Sequence, residues 1–100
     1  MTEEHKDILR RNHATICANM VVGSILPVLV AETIITPREK EAIEVLITNE
    51  DKADQLLRLL MKRQDGAFYG LINALQTNSM PHLARMLEEG EKPLRTVSFI

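Results

Sequence analysis

The stretch from Lys52 to Leu75 constrains the fold most strongly, because it contains two helical patterns in close succession. In each pattern apolar residues recur at the i, i+3, i+4, i+7 spacing that places them on one face of a helix. They are Ala53, Leu56, Leu57 and Leu60 in the first pattern and Phe68, Leu71, Ile72 and Leu75 in the second. Asp65 and Gly66 interrupt the pattern, Asp65 as a candidate N-cap and Gly66 as a residue that tolerates a tight turn. The stretch therefore predicts an antiparallel helical hairpin whose two stripes share a core.

Three helices are predicted before this hairpin, and the first two have irregular features. The first starts near Thr2, and poor helix formers at Asn12 and His13 predict that it bends or breaks there. The second is predicted to start at Ser24, which places Pro27 in the first turn, where a missing N–H has no partner to lose.

Short cap motifs mark the remaining helix starts. Thr36, Pro37 and Glu39 read as N-cap, N1 and N3 of a capping box, and they open a short acidic helix with Ala42, Ile43 and Leu46 facing inward. Thr48, with an acid three residues later, starts the first helix of the hairpin.

The last helix is predicted to follow the hairpin directly. Ser79 is its candidate N-cap, Pro81 falls in its first turn and Gly90 closes it. Together these patterns predict an all-α fold, a bundle of six antiparallel helices whose first helix is bent or broken. Residues 1–90 form this single domain, and 91–100 are predicted to be a linker or tail.

Composition narrows the class of protein. The chain has 100 residues, a formal net charge of -2 and one cysteine, Cys17, so it cannot form an internal disulfide. We therefore expect a reducing, cytoplasmic setting. The apolar run from Met20 to Ala31 is shorter than the ~20 residues of a membrane span, and the net charge gives no general attraction to nucleic acid.

No pattern of catalytic or metal-binding residues emerges. His5, His13 and His82 are far apart and lack metal-ligand spacing, and we expect them at surface or half-buried positions. Cys17 follows an inward-facing residue and is expected to act as a small hydrophobe. The sequence thus predicts no catalytic site, no metal site and no cofactor.

Charge is segregated among the predicted helices. Bases decorate the first helix and end the fourth, whereas an acidic face on the second and third helices comprises Glu32, Glu39, Glu41 and Glu44. Acids at the start and bases at the end of a helix also complement the helix dipole, so the fourth helix alone is explained equally well by local electrostatics. If the patches serve binding, unlike surfaces can stack head to tail into rings or filaments.

Several segments together resemble a caspase-recruitment domain, most closely the prodomain of an initiator caspase. The resemblance covers about Lys6 to Glu89. Two positions depart from the family: Gln64 stands where a glycine is common, and Gly23 stands where an acidic cap is common. Ser24 is expected to cap instead of Gly23. The segments that carry it are Ile34-Ile35-Thr36, Lys52-Ala53, Leu56-Leu57, Leu59-Leu60, Lys62-Arg63-x-x-x-Ala67-Phe68, Leu71 to Leu75, and Leu83-Ala84-x-x-Leu87-Glu88.

This resemblance implies a six-helix death fold and homotypic binding to the matching domain of an adaptor, an apoptosome scaffold or a caspase. Family members commonly offer a basic surface to an acidic one on the partner. Carried over to this chain, the basic face consists of Arg10, Arg11, His13, Lys62 and Arg63. The leading hypothesis is a caspase prodomain that uses this face in apoptotic signalling. One alternative is the domain of an adaptor or scaffold that offers the acidic face, and another is a helical nucleic-acid-binding domain.

Overall fold

The computed structural model describes residues 1–91, which form an all-α bundle. The described residues contain α1 Glu3–Arg11, α2 His13–Asn19, α3 Val22–Ala31, α4 Pro37–Glu44, α5 Asn49–Met61, α6 Gly66–Thr77 and α7 Pro81–Glu91. The predicted first helix is broken into α1 and α2, which confirms the expected interruption. The predicted tail lies outside the described residues except for Glu91, which ends α7.

A single core holds the helices together. All eight residues of the two predicted stripes are buried in it, and α5 packs mainly on α2 while α6 packs on α3 and α7. Phe68 is the largest side chain that is fully enclosed. The hairpin stretch therefore supplies the centre of the core, as its spacing predicts.

The break between α1 and α2 has a local cause. The side-chain amide of Asn12 donates to the carbonyl of Ile8 at 2.9 Å, and the Asn12 backbone lies outside helical geometry at φ -105° and ψ 9°. An asparagine side chain that bonds its own backbone competes with the helical hydrogen-bond pattern. The residues on either side remain helical, so the chain changes direction without leaving the core.

Three predicted helix starts are confirmed at the level of hydrogen bonds. The Thr2 hydroxyl accepts from His5 N at 3.2 Å, and the Thr48 hydroxyl accepts from Asp51 N at 3.0 Å. At α4 the capping box is complete, because Thr36 accepts from Glu39 N at 3.1 Å while Glu39 accepts from Thr36 N at 2.9 Å. Each motif satisfies amide groups that a helix start leaves without partners.

The predicted start of the next helix was wrong. α3 begins at Val22, two residues before Ser24, so Pro27 lies inside the helix rather than in its first turn. Asn49, from the start of α5, takes the capping role: its side chain accepts from Val22 N at 3.2 Å and donates to Met20 O at 2.7 Å. A residue distant in sequence therefore replaces the local cap.

The turn between α5 and α6 also differs from prediction. Asp65 makes no side-chain cap with α6; its carboxylate accepts instead from Thr2 N at 3.1 Å and lies 2.5 Å from Nδ1 of His5. His5 is buried, contrary to expectation, and stacks on Phe68 with ring centroids 4.0 Å apart. Gln64 and Gly66 adopt negative φ, so this turn does not require a glycine.

Two helices end in the same way, each at a residue with a left-handed backbone. Thr33 has φ 58° after α3 and Ser79 has φ 64° after α6. Ile34 N donates to Leu29 O at 2.9 Å and Met80 N donates to Leu75 O at 2.9 Å, the bond that closes a Schellman motif. Ser79 therefore ends α6 and does not cap α7 as predicted.

Two further predictions were wrong, one for the end of α7 and one for the buried residues of α4. Gly90 lies within α7 and does not end it; a Cβ at this position would be 3.0 Å from Cγ2 of the buried Ile8. Ala42 of α4 is exposed and Leu46 lies beyond the end of α4, half-buried, so Ile43 is the buried residue of this short helix. α4 is consequently attached to the core by a narrow contact.

Replacing a stripe residue tests the core. Leu57 is fully enclosed, so Leu57→Ala should lower the free energy of unfolding by ~2–5 kcal/mol through lost apolar burial and the cavity left behind. Denaturant titration followed by circular dichroism measures this change. A negligible effect would mean that Leu57 is not a core residue.

Relieving a strained helix end should stabilise the domain. A threonine with a left-handed backbone is disfavoured because its branched side chain crowds the main chain. Thr33→Gly should therefore raise the free energy of unfolding by about 0.5–1 kcal/mol, the relief being offset in part by the more flexible unfolded chain. Ser79→Gly is the matched variant at the second site. Unchanged or lowered stability of Thr33→Gly would contradict this interpretation.

The Asp65 contact predicts a dependence of stability on pH. The hydrogen bond from His5, and then that from Thr2, lower the pKa of Asp65 below its ordinary value of 3.8. A lowered pKa in the folded state gives stability that is present above the unfolded pKa and is lost as the pH falls through the folded one. Asp65→Ala should therefore be less stable than the unmodified chain at neutral pH.

The difference in stability should shrink once the pH falls below the ordinary Asp65 pKa of 3.8, and it should disappear below the lowered pKa of the folded state, where the carboxylate of the unmodified chain is protonated as well. Urea titrations of both proteins between neutral and acid pH provide the comparison. A difference in stability that stays constant over this range would contradict the proposed role of the Asp65 carboxylate.

Candidate protein-interaction surface

The basic face contains cations that differ in how far they are already paired. Arg11 and Lys62 are exposed, and neither has an ion-pair partner within the described part of the chain. Arg10 is exposed too, but its guanidinium lies 3.5 Å from Glu3 and 3.7 Å from Asp7. The charge most available to another molecule is therefore that of Arg11 and Lys62.

His13 contributes a structural contact to this face. Its Nε2 lies 2.8 Å from Oδ1 of Asp54, and the second oxygen of Asp54 accepts from Arg58 at 2.9 Å. The hydrogen bond from Arg58, followed by that from His13, lowers the pKa of Asp54, which keeps this carboxylate charged. His13 thus attaches α2 to α5, and its ring faces an acid of the same molecule.

Two sets of contacts determine how the basic residues are arranged. The Met1 amino group donates to the carbonyl of Arg63 and Thr2 N donates to Asp65, while His13 contacts Asp54. The chain from Met1 to His13 therefore runs back along α5, from its C-terminal end towards its first half. Arg10 and Arg11, just before His13, therefore lie towards the first half of α5, whereas Lys62 directly follows its C-terminal end.

The acidic face is also partly engaged within the molecule. Glu44 pairs with Lys40 at 2.9 Å, and Glu32 accepts from the side chain of Asn73 at 2.7 Å. Glu39 caps α4. Glu41 is exposed and has no ion-pair partner among the described residues. It is the acidic counterpart of Arg11 and Lys62.

Exposed apolar residues lie next to the acidic face, a feature that the sequence analysis did not single out. In the connection between α4 and α5, Val45 is 78% exposed and Ile47 is 94% exposed. They lie just after Glu44 and belong to no apolar stripe. Their position outside a helix is the only sign in the sequence that they could be exposed. Their exposure adds apolar surface beside the acids.

One contact joins the two predicted faces. The guanidinium Nη2 of Arg63, in the basic face, donates to the carboxylate of Glu39, in the acidic face. The two residues are 24 positions apart, and the pair connects the start of α4 to the end of α5. The Nε of Arg63 is buried without a hydrogen-bond partner. Helical periodicity cannot reveal such a contact, because it depends on how the two helices pack.

The geometry around Cys17 does not support nucleophilic catalysis. Its Sγ lies 3.6 Å from Nε2 of His13, but this is the nitrogen that contacts Asp54. Burial, and then the charges of Asp54 and Glu50, raise the pKa of the Cys17 thiol, which favours its neutral form. The expectation of a small buried hydrophobe is confirmed at this position.

Within residues 1–91 no group of three or more His, Cys, Asp or Glu side chains is placed to hold a metal ion. No single helix of this range is long and apolar enough to cross a membrane; α2 and α3 reach that length together but are bent by 101°.

Comparison with known proteins identifies a domain family over nearly the whole bundle. The model of the caspase recruitment domain matches residues 6–90. Caspase-2 of Gallus gallus is 28% identical over 95 residues, which cover 95% of this chain and 22% of that protein. Cell death protein 3 of Caenorhabditis remanei is 30% identical over 101 residues, 100% of this chain and 19% of that protein.

The chain therefore spans about a fifth of the length of these curated relatives. The matched residues include all the helices from α2 to α6, α1 from Lys6 onward, and α7 except for Glu91. With the helical bundle, the broken first helix and this match, the chain belongs to the caspase recruitment domain family.

Proposed function

We propose that this domain recruits an initiator caspase to an adaptor or apoptosome scaffold, by binding another caspase recruitment domain through its basic face. The observation that carries the proposal is the exposure of Arg11 and Lys62, neither of which has an ion-pair partner among residues 1–91. The similarity to caspase-2 and cell death protein 3 supports a caspase as the parent protein. A cytoplasmic setting is part of the proposal.

The physical basis is charge complementarity between two rigid surfaces. Cations that are not paired within the molecule can attract an acidic surface, and complementary charges speed association and select the partner. Arg11 ends α1 and Lys62 directly follows α5, and both helices carry buried core residues, so the backbone at these two positions is fixed before binding. This reduces the ordering cost that flexible binding segments incur.

A second candidate function is favoured by the acidic face of the domain and the apolar residues next to it. Exposed Glu41 and the exposed Val45 and Ile47 would suit an adaptor or scaffold that offers its acidic face to a caspase. Apolar residues beside charged ones are common in protein interfaces. We treat this as the alternative, to be separated from the first by mutation.

Nucleic-acid binding is less well supported. Single-stranded nucleic acid is bound by exposed aromatic rings in a basic groove. Among the described aromatic residues, Phe68 is fully enclosed and only Tyr69 is partly exposed. The net charge of -2 also works against phosphate binding.

Charge reversal on the basic face should abolish partner binding. We expect the purified domain to bind at least one member of a panel of caspase recruitment domains, the chain itself included, and to bind more weakly as salt is added. Arg11→Glu and Lys62→Glu should each remove this binding without changing helicity or melting temperature. Calorimetric titration against each panel member measures the affinity.

Arg85→Glu is the matched control, since Arg85 is exposed on α7 outside both faces and the charge change is the same. It should bind like the unmodified domain. If Arg11→Glu and Lys62→Glu bind normally while Glu41→Lys does not, the adaptor alternative is correct. If no panel member binds, the proposed recruitment function fails.

A further inference from the structure

The ion pair between Arg63 and Glu39 occupies the charge of one residue from each predicted face. The side chains of Arg63 and Glu39 keep 36% and 28% of their exposure, so both remain within reach of a partner. Lys62 is the neighbour of Arg63 in sequence, and Glu41 is two residues from Glu39. Each member of the pair is therefore close in sequence to a charge that has no ion-pair partner among residues 1–91.

The pair competes with any partner that approaches either face. A partner's carboxylate can engage Arg63 fully only when Glu39 releases it, and a partner's cation can engage Glu39 only when Arg63 releases it. Release of one side chain necessarily frees the other. Because the pair is partly exposed and its charges are screened by solvent, opening it costs little free energy.

We propose that a second copy of this chain binds head to tail by exchanging this ion pair. This inference rests on the proposed function. Arg63 of one copy leaves its own Glu39 and pairs with Glu39 of the next copy. The first exchange replaces two internal ion pairs by one intermolecular pair, and each further copy exchanges its internal pair for one more intermolecular pair. The released Glu39 of the first copy can then accept Arg63 of a third, so the contact propagates from copy to copy.

The exchange makes one substitution act in opposite directions, depending on which copy carries it. Glu39→Gln removes the internal competitor for Arg63, so it should strengthen binding when its copy offers the basic face. In a copy that offers the acidic face, the same change removes the acceptor and should weaken binding. Glutamine keeps the side-chain oxygen that accepts from Thr36 N, so the capping box of α4 is preserved.

Two blocked forms of the chain allow each case to be measured separately. A basic-face probe carries Glu41→Lys and Glu44→Lys, which disable its acidic face. An acidic-face probe carries Arg11→Glu and Lys62→Glu, which disable its basic face. The two probes can then associate in one orientation only, and their dissociation constant is measured by calorimetric titration at low ionic strength.

We expect Glu39→Gln to tighten binding about two- to fivefold in the basic-face probe, the range of a partly exposed ion pair. The same change should weaken binding in the acidic-face probe. Arg63→Gln is the mirror variant, expected to weaken binding in the basic-face probe and to strengthen it in the acidic-face probe. Glu89→Gln, which removes one exposed charge outside both faces, should leave the affinity unchanged in either probe.

Opposite shifts for Glu39→Gln in the two probes would support the exchange. Equal shifts in both probes, or no shift in the basic-face probe, would overturn it even though the probes bind each other. If the probes do not associate at all, head-to-tail self-assembly and the exchange both fail. Binding to a different recruitment domain of the panel would in that case leave the proposed recruitment function standing, so the two failures are distinguishable.

Discussion

The carboxylate of Asp65 makes the contact on which the arrangement of the binding surface depends. It accepts from the backbone of Thr2 and contacts His5, residues that start α1, from a turn some 60 positions later. His5 in turn stacks on Phe68 at the centre of the core. α1 is therefore held against α6 by a polar and an aromatic contact together. Without them the N-terminal segment, which carries Arg10 and Arg11, would lose its direction along α5.

Local patterns predicted the elements of this fold well. The stripes of α5 and α6, the capping box of α4 and the break at Asn12 all depend on residues within about four positions of one another. In an α-helix such residues are neighbours on one face, so their spacing in the sequence is also their spacing in space. This is why fold class, core and most helix starts could be predicted before the family was identified.

The wrong predictions concern residues whose partners are distant in sequence. Asn49 caps α3 from 27 positions away, so Ser24 did not need to do so. Asp65 bonds α1 and not the helix that follows it, and Gly90 accommodates Ile8 and does not end α7. Each residue type was recognised as special, but its role depends on tertiary packing. The same reason explains why the sequence separated Arg63 and Glu39 into two faces that the structure joins.

Formal charge is consequently a poor measure of what this surface can offer a partner. Of the five residues of the basic face, Arg10, His13 and Arg63 already face acids of their own molecule. A partner that engages one of these three must replace an existing contact, so the net electrostatic gain is smaller than the number of cations implies. Arg11 and Lys62 displace no internal acid. Arg11 and Lys62 can therefore attract a partner directly. The paired residues can bind a partner only by exchanging an internal acid for one of the partner's, so they favour a partner whose acids match their positions. For the proposed binding, such a surface contributes more to the choice of partner than to affinity.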